Sequence, residues 1–319
     1  MPRLPEPEIS RSHRCSVTER LRGTVCILVL AVCYPLTLGR AAEPVDNATS
    51  LRATYESLKP QLDQNAFHRR LYLDSRESSS TVAGEIYAVM DYPFATVSRI
   101  LNDPSHGPKN WCNVLILHPN VKYCHVSASS SGDTLTVNIS EDQVPEEKLA
   151  STYRLQFEYD PATTGPGYFR IKLHAGSGPL DTRDYQIVLE AVSLGSGRTF
   201  LHLTYAYSYG VFGRLAMKGY LATFGRGKVG FTNIAGPSAP EPKYADGVRG
   251  LVERNTMRYY LAIDAFIGEP VSLPDTRLEQ RLNNWFSASE QYPRQLHEID
   301  RKHYVEMKQA EYRRLQASQ

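Results

Sequence analysis

The period of hydrophobic and polar positions changes repeatedly along this chain, and each change marks an element. Residues 81–90 alternate, with Val82, Gly84, Ile86, Ala88 and Met90 on one face and Thr81, Glu85 and Tyr87 on the other, as in a half-buried strand. Asp91-Tyr92-Pro93 interrupts the ladder, because proline has no N–H to donate. Phe94, Val97, Ile100 and Leu101 then follow helical spacing, and a second short helix is predicted over 109–117. From 121 to about 209 the period is two again. Leu135, Val137 and Ile139 share a face, as do Tyr153, Leu155, Phe157 and Tyr159. The same holds for Phe169, Ile171 and Leu173, for Tyr185, Ile187, Leu189 and Ala191, and for Leu201, Leu203, Tyr205, Tyr207 and Tyr209. Turn formers separate them, such as Ser131-Gly132-Asp133 and Gly195-Ser196-Gly197, so the strands are expected to be antiparallel.

A long amphipathic helix is predicted over 246–267. Val248, Leu251, Val252, Asn255, Tyr259, Ala262, Ile263 and Phe266 fall within a sector of roughly 120°, with Arg249, Glu253, Arg254, Arg258 and Asp264 on the remainder. Gly268 followed by Pro270 is a sensible stop. This order predicts an α+β fold, a curved antiparallel sheet wrapped around a long C-terminal helix, with a further helical extension at the end of the chain. A sheet filled from one side tends to enclose an apolar cavity.

On these elements the chain resembles the START-like helix-grip superfamily, the SRPBCC group of lipid-transfer proteins, cyclases and hydrophobic-ligand binders, over roughly 79–268. The Tyr92-Pro93-Phe94 turn and Trp111 are the most local points of likeness. The resemblance implies a cavity between sheet and long helix; it carries over no catalytic motif. An apolar insertion at 211–225 and the residues after 268 depart from the family's pattern.

The remaining segments read as accessories: a signal peptide over 1–41, an N-terminal helical or linker segment over 42–78, and a helical extension over 269–319. Arg11, Arg14, Arg20 and Arg22 precede the apolar run Val25–Leu38, and Gly39-Arg40-Ala41 places small residues three and one positions before a cut. About fourteen apolar residues are few for a membrane span, which favours cleavage and a periplasmic or secreted protein over an uncleaved anchor. Loss of 1–41 would leave 30 of 36 Lys/Arg against 31 of 34 Asp/Glu, so the basic balance belongs to the leader. Without a gathered surplus of cations, nucleic acid is not an expected partner.

Of the five cysteines, Cys112 and Cys124 alone lie outside the leader, and in an oxidising space they are expected to pair. The chain-entropy model gives ~3 kcal/mol for a loop of this length. Two buried free thiols are the other reading, whereas a zinc site lacks the further ligands it needs. No cofactor or metal is implied.

The chain holds 20 tyrosines, and several fall on the predicted inner faces. Tyr153, Phe157, Tyr185, Tyr205 and Tyr207 from the sheet, with Asn255, Tyr259, Ile263 and Phe266 from the helix, are therefore the candidate ligand-binding set. Asn255 is open to two readings, a core amide satisfied within the protein or an orienting contact to a ligand's polar head. The insertion 211–224 is apolar nearly all round. It is either a helix packed over the end of the sheet or a portal that touches a membrane transiently, through Phe212, Leu215 and Tyr220.

Catalytic signals are thin. His174, His202, Glu85, Glu158 and Glu190 alternate opposite the apolar sets and are expected to face solvent, and no nucleophile elbow accompanies them. Gly225-Arg226-Gly227-Lys228-Val229-Gly230 spells a dinucleotide fingerprint, but follows a predicted helix rather than a strand and reads as a connector. The tail carries weak helical stripes, Leu296, Ile299, Met307 and Ala310, with charge pairs Glu298–Lys302 and Glu311–Arg314, the pattern of a solvated helix or a docking arm for a protein partner. The expected function is binding of a hydrophobic small molecule or lipid. A filled, non-catalytic interaction module and a cyclase- or hydrolase-like enzyme are the alternatives.

Overall fold

The computed structural model describes residues 47–317 except 131, 143, 166, 224, 226, 237–239 and 269–273. The expected export signal over 1–41, with its three cysteines, lies outside the described residues.

The chain begins with helix α1 (Asn47–Asp63) and the hairpin β1 (Leu71–Glu77) and β2 (Thr81–Met90), then crosses by α2 (Phe94–Leu101) and α3 (Gly107–Leu115). Six strands follow: β3 (Val121–Ser129), β4 (Gly132–Ile139), β5 (Tyr153–Gly165), β6 (Tyr168–Ser177), β7 (Thr182–Gly195) and β8 (Arg198–Tyr209). They form one antiparallel sheet in the order β1-β2-β8-β7-β6-β5-β4-β3, so the meander that starts at the far edge returns to close on the first hairpin. Alternation fixes which residues face inward. Leu135, Val137, Phe157, Ile171, Leu189 and Leu203 are all buried in the main core. The fold is the expected α+β helix-grip.

Strand β1 starts ahead of the boundary expected at 79. Leu71, Leu73 and Ser75 point inward, but the intervening and following Asp74, Arg76 and Glu77 make this edge strand too polar and short to stand out by period.

After the sheet come α4 (Val211–Ala222) and the long α5 (Gly247–Ile267), which packs against β1, β2 and β8. Its approach to β2 requires Gly84: a Cβ there would collide with the Thr256 side chain. Three helices end the chain, α6 (Pro274–Ser289), α7 (Pro293–Leu296) and α8 (Arg301–Ala317).

One expectation is corrected by what covers these elements. On the face of α5 away from its apolar stripe, Glu253, Arg254 and Arg258 are almost fully buried. α6 packs on α5, and the tail that was expected to be solvated is a covering layer. Trp285 Nε1 donates to the Arg258 carbonyl at 3.2 Å, and Tyr304 Oη donates to the Leu117 carbonyl at 2.8 Å. Glu298 pairs with Arg258 and Lys228 rather than Lys302. Glu311 pairs with Lys308 and Lys122, all three buried.

The convex face of the sheet is also covered. Ala48, Leu51, Tyr55 and Leu62 of α1 pack with Val89, Tyr168, Val192 and Phe200 in a second small core. His202, Glu85 and Glu190 point outward as expected, but lie half-sheltered beside α1 rather than in solvent. Cys112 and Cys124 are joined, with Cα atoms 5.3 Å apart, which ties α3 to β3.

Candidate functional site

Inward positions of β7 and β8 converge with the first half of α5 on a cavity of about 640 Å³. Tyr185, Tyr205, Tyr207, Leu251, Asn255, Met217 and Tyr220 contribute to its walls, and Ser151, Thr152 and Tyr153 to its rim. That volume lies within the roughly 300–1,000 Å³ of small-molecule sites. Clefts elsewhere on the described molecule lie outside the sheet–helix interior. One of about 660 Å³ includes Tyr123, His125, Asn138 and Arg314, and one of about 310 Å³ includes Tyr87, Glu190 and His202.

The aromatic wall follows from the period-two pattern, because Tyr205, Tyr207 and Tyr209 emerge on one face and stack along it. The Tyr185 and Tyr207 rings are near parallel with centroids 5.0 Å apart, and Tyr205 lies 5.8 Å from Tyr207 and 5.2 Å from Tyr259. Burial pushes the Tyr185 hydroxyl up to about 12 and those of Tyr205 and Tyr207 well above their ordinary range, so all remain neutral hydrogen-bonding groups. Their partners differ. Tyr185 shares a 2.8 Å hydrogen bond with Thr182 Oγ1, while Tyr205 has the Asn255 side chain nearby, which works against the effect of burial on its hydroxyl. The Tyr207 hydroxyl is buried and has no partner among the described residues.

Asn255 is held in a defined orientation. The Asn120 N–H donates to His118 Nδ1 at 3.1 Å, which assigns the proton of this imidazole to Nε2, 3.3 Å from Asn255 Oδ1. Burial, with Arg258 and Lys308 nearby, depresses the His118 pKa well below the ordinary range and keeps it neutral. Arg258 Nη1 reaches the same oxygen at 3.4 Å. With Oδ1 occupied on that side, the amide nitrogen is left for the cavity. Asn255 thus fits both of its sequence readings at once, satisfied within the protein and present in the wall. His118 was missed by sequence reasoning, because nothing in its local pattern points to a residue 137 positions away.

The mouth is built by α4. Its inner face buries Gly213 and Met217, while Ala216 and Tyr220 border the cavity. Gly213 rests on the turn Pro179–Asp181, where a Cβ would lie 3.1 Å from the carbonyls of Leu180 and Asp181. Leu180 itself holds a left-handed φ of 56° and contributes to the cavity wall. Tyr220 Oη donates to Glu141 across the mouth. The outer face of α4 is apolar and exposed, at 84% for Val211, 79% for Phe212 and 69% for Leu215.

The candidate residues therefore separate. Tyr153, 51% exposed at the rim, Tyr185, Tyr205, Tyr207 and Asn255 border the cavity, as does Tyr220. Phe157, Ile263 and Phe266 do not: all three are buried in the main core. Arg281 of α6 lies over the Phe266 ring at 3.7 Å, so this side chain serves the packing of the extension. Tyr259 stands behind Tyr205, against His118. Leu251 and Met217 were not in the candidate set, although Leu251 was on the correct stripe. Among the described residues no His/Cys/Asp/Glu cluster could hold a metal ion, and no helix is long and apolar enough to cross a membrane.

No family model and no curated protein matches the sequence. Among solved structures, truncated norcoclaurine synthase from Thalictrum flavum is similar at 10% identity and a TM-score of 0.33, over 47% of this chain and 89% of that one. A START superfamily protein from Mycobacterium smegmatis is similar at 13% and 0.28, over 42% and 79%. The Zhui aromatase/cyclase from a Streptomyces species is similar at 15% and 0.33, over 59% and 93%. Scores at this level carry no argument of their own; the helix-grip description rests on the strand order and the placement of α5.

Proposed function

We propose that this protein binds a hydrophobic small molecule or lipid in the cavity between the sheet and α5, without doing chemistry on it. The observation that carries the reading is the tyrosine wall of a ligand-sized cavity in which the buried Tyr207 hydroxyl lacks a partner among the described residues. Buried polar groups are normally satisfied, and a ligand's polar group would supply the missing bond. Burial of the ligand's apolar body would drive affinity, while Asn255 and the tyrosine hydroxyls would set its orientation.

α4 supports a portal role in the same reading. An apolar helix face beside a cavity mouth, flanked by the exposed Arg214 and Lys218, suits transient contact with a membrane surface during uptake or release. The Cys112–Cys124 disulfide and the apolar leader support export to an oxidising compartment.

Native mass spectrometry of the protein from its own envelope fraction, followed by extraction of any bound molecule, tests this. A stoichiometric apolar adduct is expected. An apo mass, together with failure to bind any apolar probe, would overturn the reading.

A further inference from the structure

The cavity reading leaves open what kind of polar group the ligand carries, and a buried guanidinium beside the cavity bears on this. Arg254 is 1% exposed. Its Nε has no hydrogen-bond partner among the described residues, and its ion pair with Glu298 Oε1 is at 4.0 Å, too long for a hydrogen bond. Glu298 is already engaged at 2.8 Å by Arg258 Nη2 and at 2.8 Å by Lys228 Nζ. Although burial pushes its carboxyl up, those two cations hold it down at about 2. Three cations thus share one carboxylate. The next carboxylate in range of Arg254, Glu141, accepts from the Tyr220 phenol. With both acids counted, the cluster keeps a surplus of one positive charge. Asp142, the other acid at the rim, is solvent-exposed.

Position links this surplus to the cavity. Leu251 and Asn255, three residues before and one after Arg254 on α5, border the cavity, as do Tyr220 and Glu141. Arg254 is not itself in the lining but lies behind it, within electrostatic reach of Tyr220 and Glu141 at the mouth. Burial, with Arg258 adding to it, pushes its pKa down to about 10, still charged at neutral pH. A desolvated charge without close partners is unfavourable, and an anion entering beside it would form charge-assisted bonds in a low-dielectric setting.

We propose that Arg254 anchors the ligand's head, and that the ligand is an amphipathic anion, a carboxylate or phosphate joined to an apolar body. The body lies along Tyr205, Tyr207 and Met217, and the head reaches Arg254 between α4 and α5. This rests on the binding function proposed above and narrows it.

Titration with cis-parinaric acid and with its uncharged alcohol tests the proposal without any variant. Wild type should bind the acid about tenfold more tightly than the alcohol, the size of one charge-assisted contact. The preference should shrink to within about twofold in Arg254→Met and survive in Arg254→Lys, which keeps the charge should the neutral variant misfold. Equal binding of acid and alcohol by wild type would overturn the anchor and leave the container standing. Binding of neither would overturn both. Inorganic phosphate should not compete, since it lacks the apolar body. Competition that survives in Arg254→Lys but disappears in Arg254→Met would identify a free-anion site and overturn the amphiphile.

Discussion

Strand β8 carries polar side chains on both faces, and the two sets are treated in opposite ways. On the concave face, Tyr207 lines the cavity and keeps a buried hydroxyl without a partner among the described residues. On the convex face, His202 is saturated. Its Nδ1 lies 3.2 Å from Glu190 Oε2 and its Nε2 3.6 Å from Glu85 Oε2, and Tyr87 stacks on the ring at 4.2 Å and 5°. Both carboxylates have further donors: Tyr168 to Glu190 at 2.8 Å, Tyr87 to Glu85 at 2.9 Å and Arg76 to Glu85 at 2.9 Å. A His with two carboxylates resembles catalytic machinery at first sight, yet a network with its members mutually satisfied fixes structure. The less conspicuous phenol is the better functional signal, because it still has a bond to make.

If the His202 network is a clamp, removing its centre should have the largest effect. His202→Leu leaves Glu85 and Glu190 half-sheltered and close together without their shared cation. A loss of ~3 kcal/mol is expected, roughly 6–12 °C in Tm, with probe affinity unchanged. Melting at the wild-type temperature would remove the distinction drawn between the two faces.

The clamp also predicts a pH signature of smaller size. Burial lowers the His202 pKa, but Glu190 and Glu85 more than offset this and raise it above 6.5, so its contribution is fully present below about pH 6.5 and fades as pH rises through the folded value. Hydrogen bonding from His202, against the opposing effect of burial, lowers Glu85 from 4.5 to about 2, so its contribution is present above about pH 4.5 and fades as pH falls towards 2. The Tm difference between wild type and His202→Leu should therefore be greatest between about pH 4.5 and 6.5 and narrow on either side. A difference that is flat from pH 4 to 9 would show that the imidazole acts by packing alone.

How far these features could be read from the sequence depends on the range of the interactions involved. Alternation along 153–159, 169–173, 185–191 and 201–209 assigned inward faces correctly because burial in a sheet repeats every second residue, a purely local rule. The helix-grip order followed from those segments and α5. The same rule placed His202 and Glu85 outward, but says nothing of what covers an outer face. The cover was α1, whose Ala48, Leu51, Tyr55 and Leu62 lie near helical spacing in a segment read only as helical or linker. The burial of Glu253 escaped the helical pattern for a related reason. Its oxygens are met by Ser75 Oγ and by the backbone N–H groups of Phe231 and Thr232, partners from other elements that helical periodicity cannot reveal. The cavity wall was legible to the same degree: the tyrosines and Asn255 by period, but neither His118, which orients Asn255, nor the buried Arg254, whose ion-pair partner Glu298 lies in the C-terminal extension.

The smallest expected stability change tests the concave side most directly. Tyr207→Phe removes a hydroxyl that makes no hydrogen bond among the described residues, so unfolding should be unchanged or slightly harder, within about 1 kcal/mol. Tyr185→Phe, in contrast, breaks the 2.8 Å hydrogen bond to Thr182 Oγ1 and should destabilise by ~1 kcal/mol. If a ligand's polar group bonds to Tyr207, the first variant loses affinity while keeping its melting temperature, by roughly 2- to 12-fold for a bond of about 0.5–1.5 kcal/mol. Denaturant melts and probe titrations on the two variants separate these effects. A Tyr207→Phe protein that is clearly less stable would mean that the hydroxyl has a partner in the free protein, and the contrast between saturated and unsaturated faces would then fail. An unchanged affinity with unchanged stability would leave the cavity as a container but remove Tyr207 from the groups that orient what it holds.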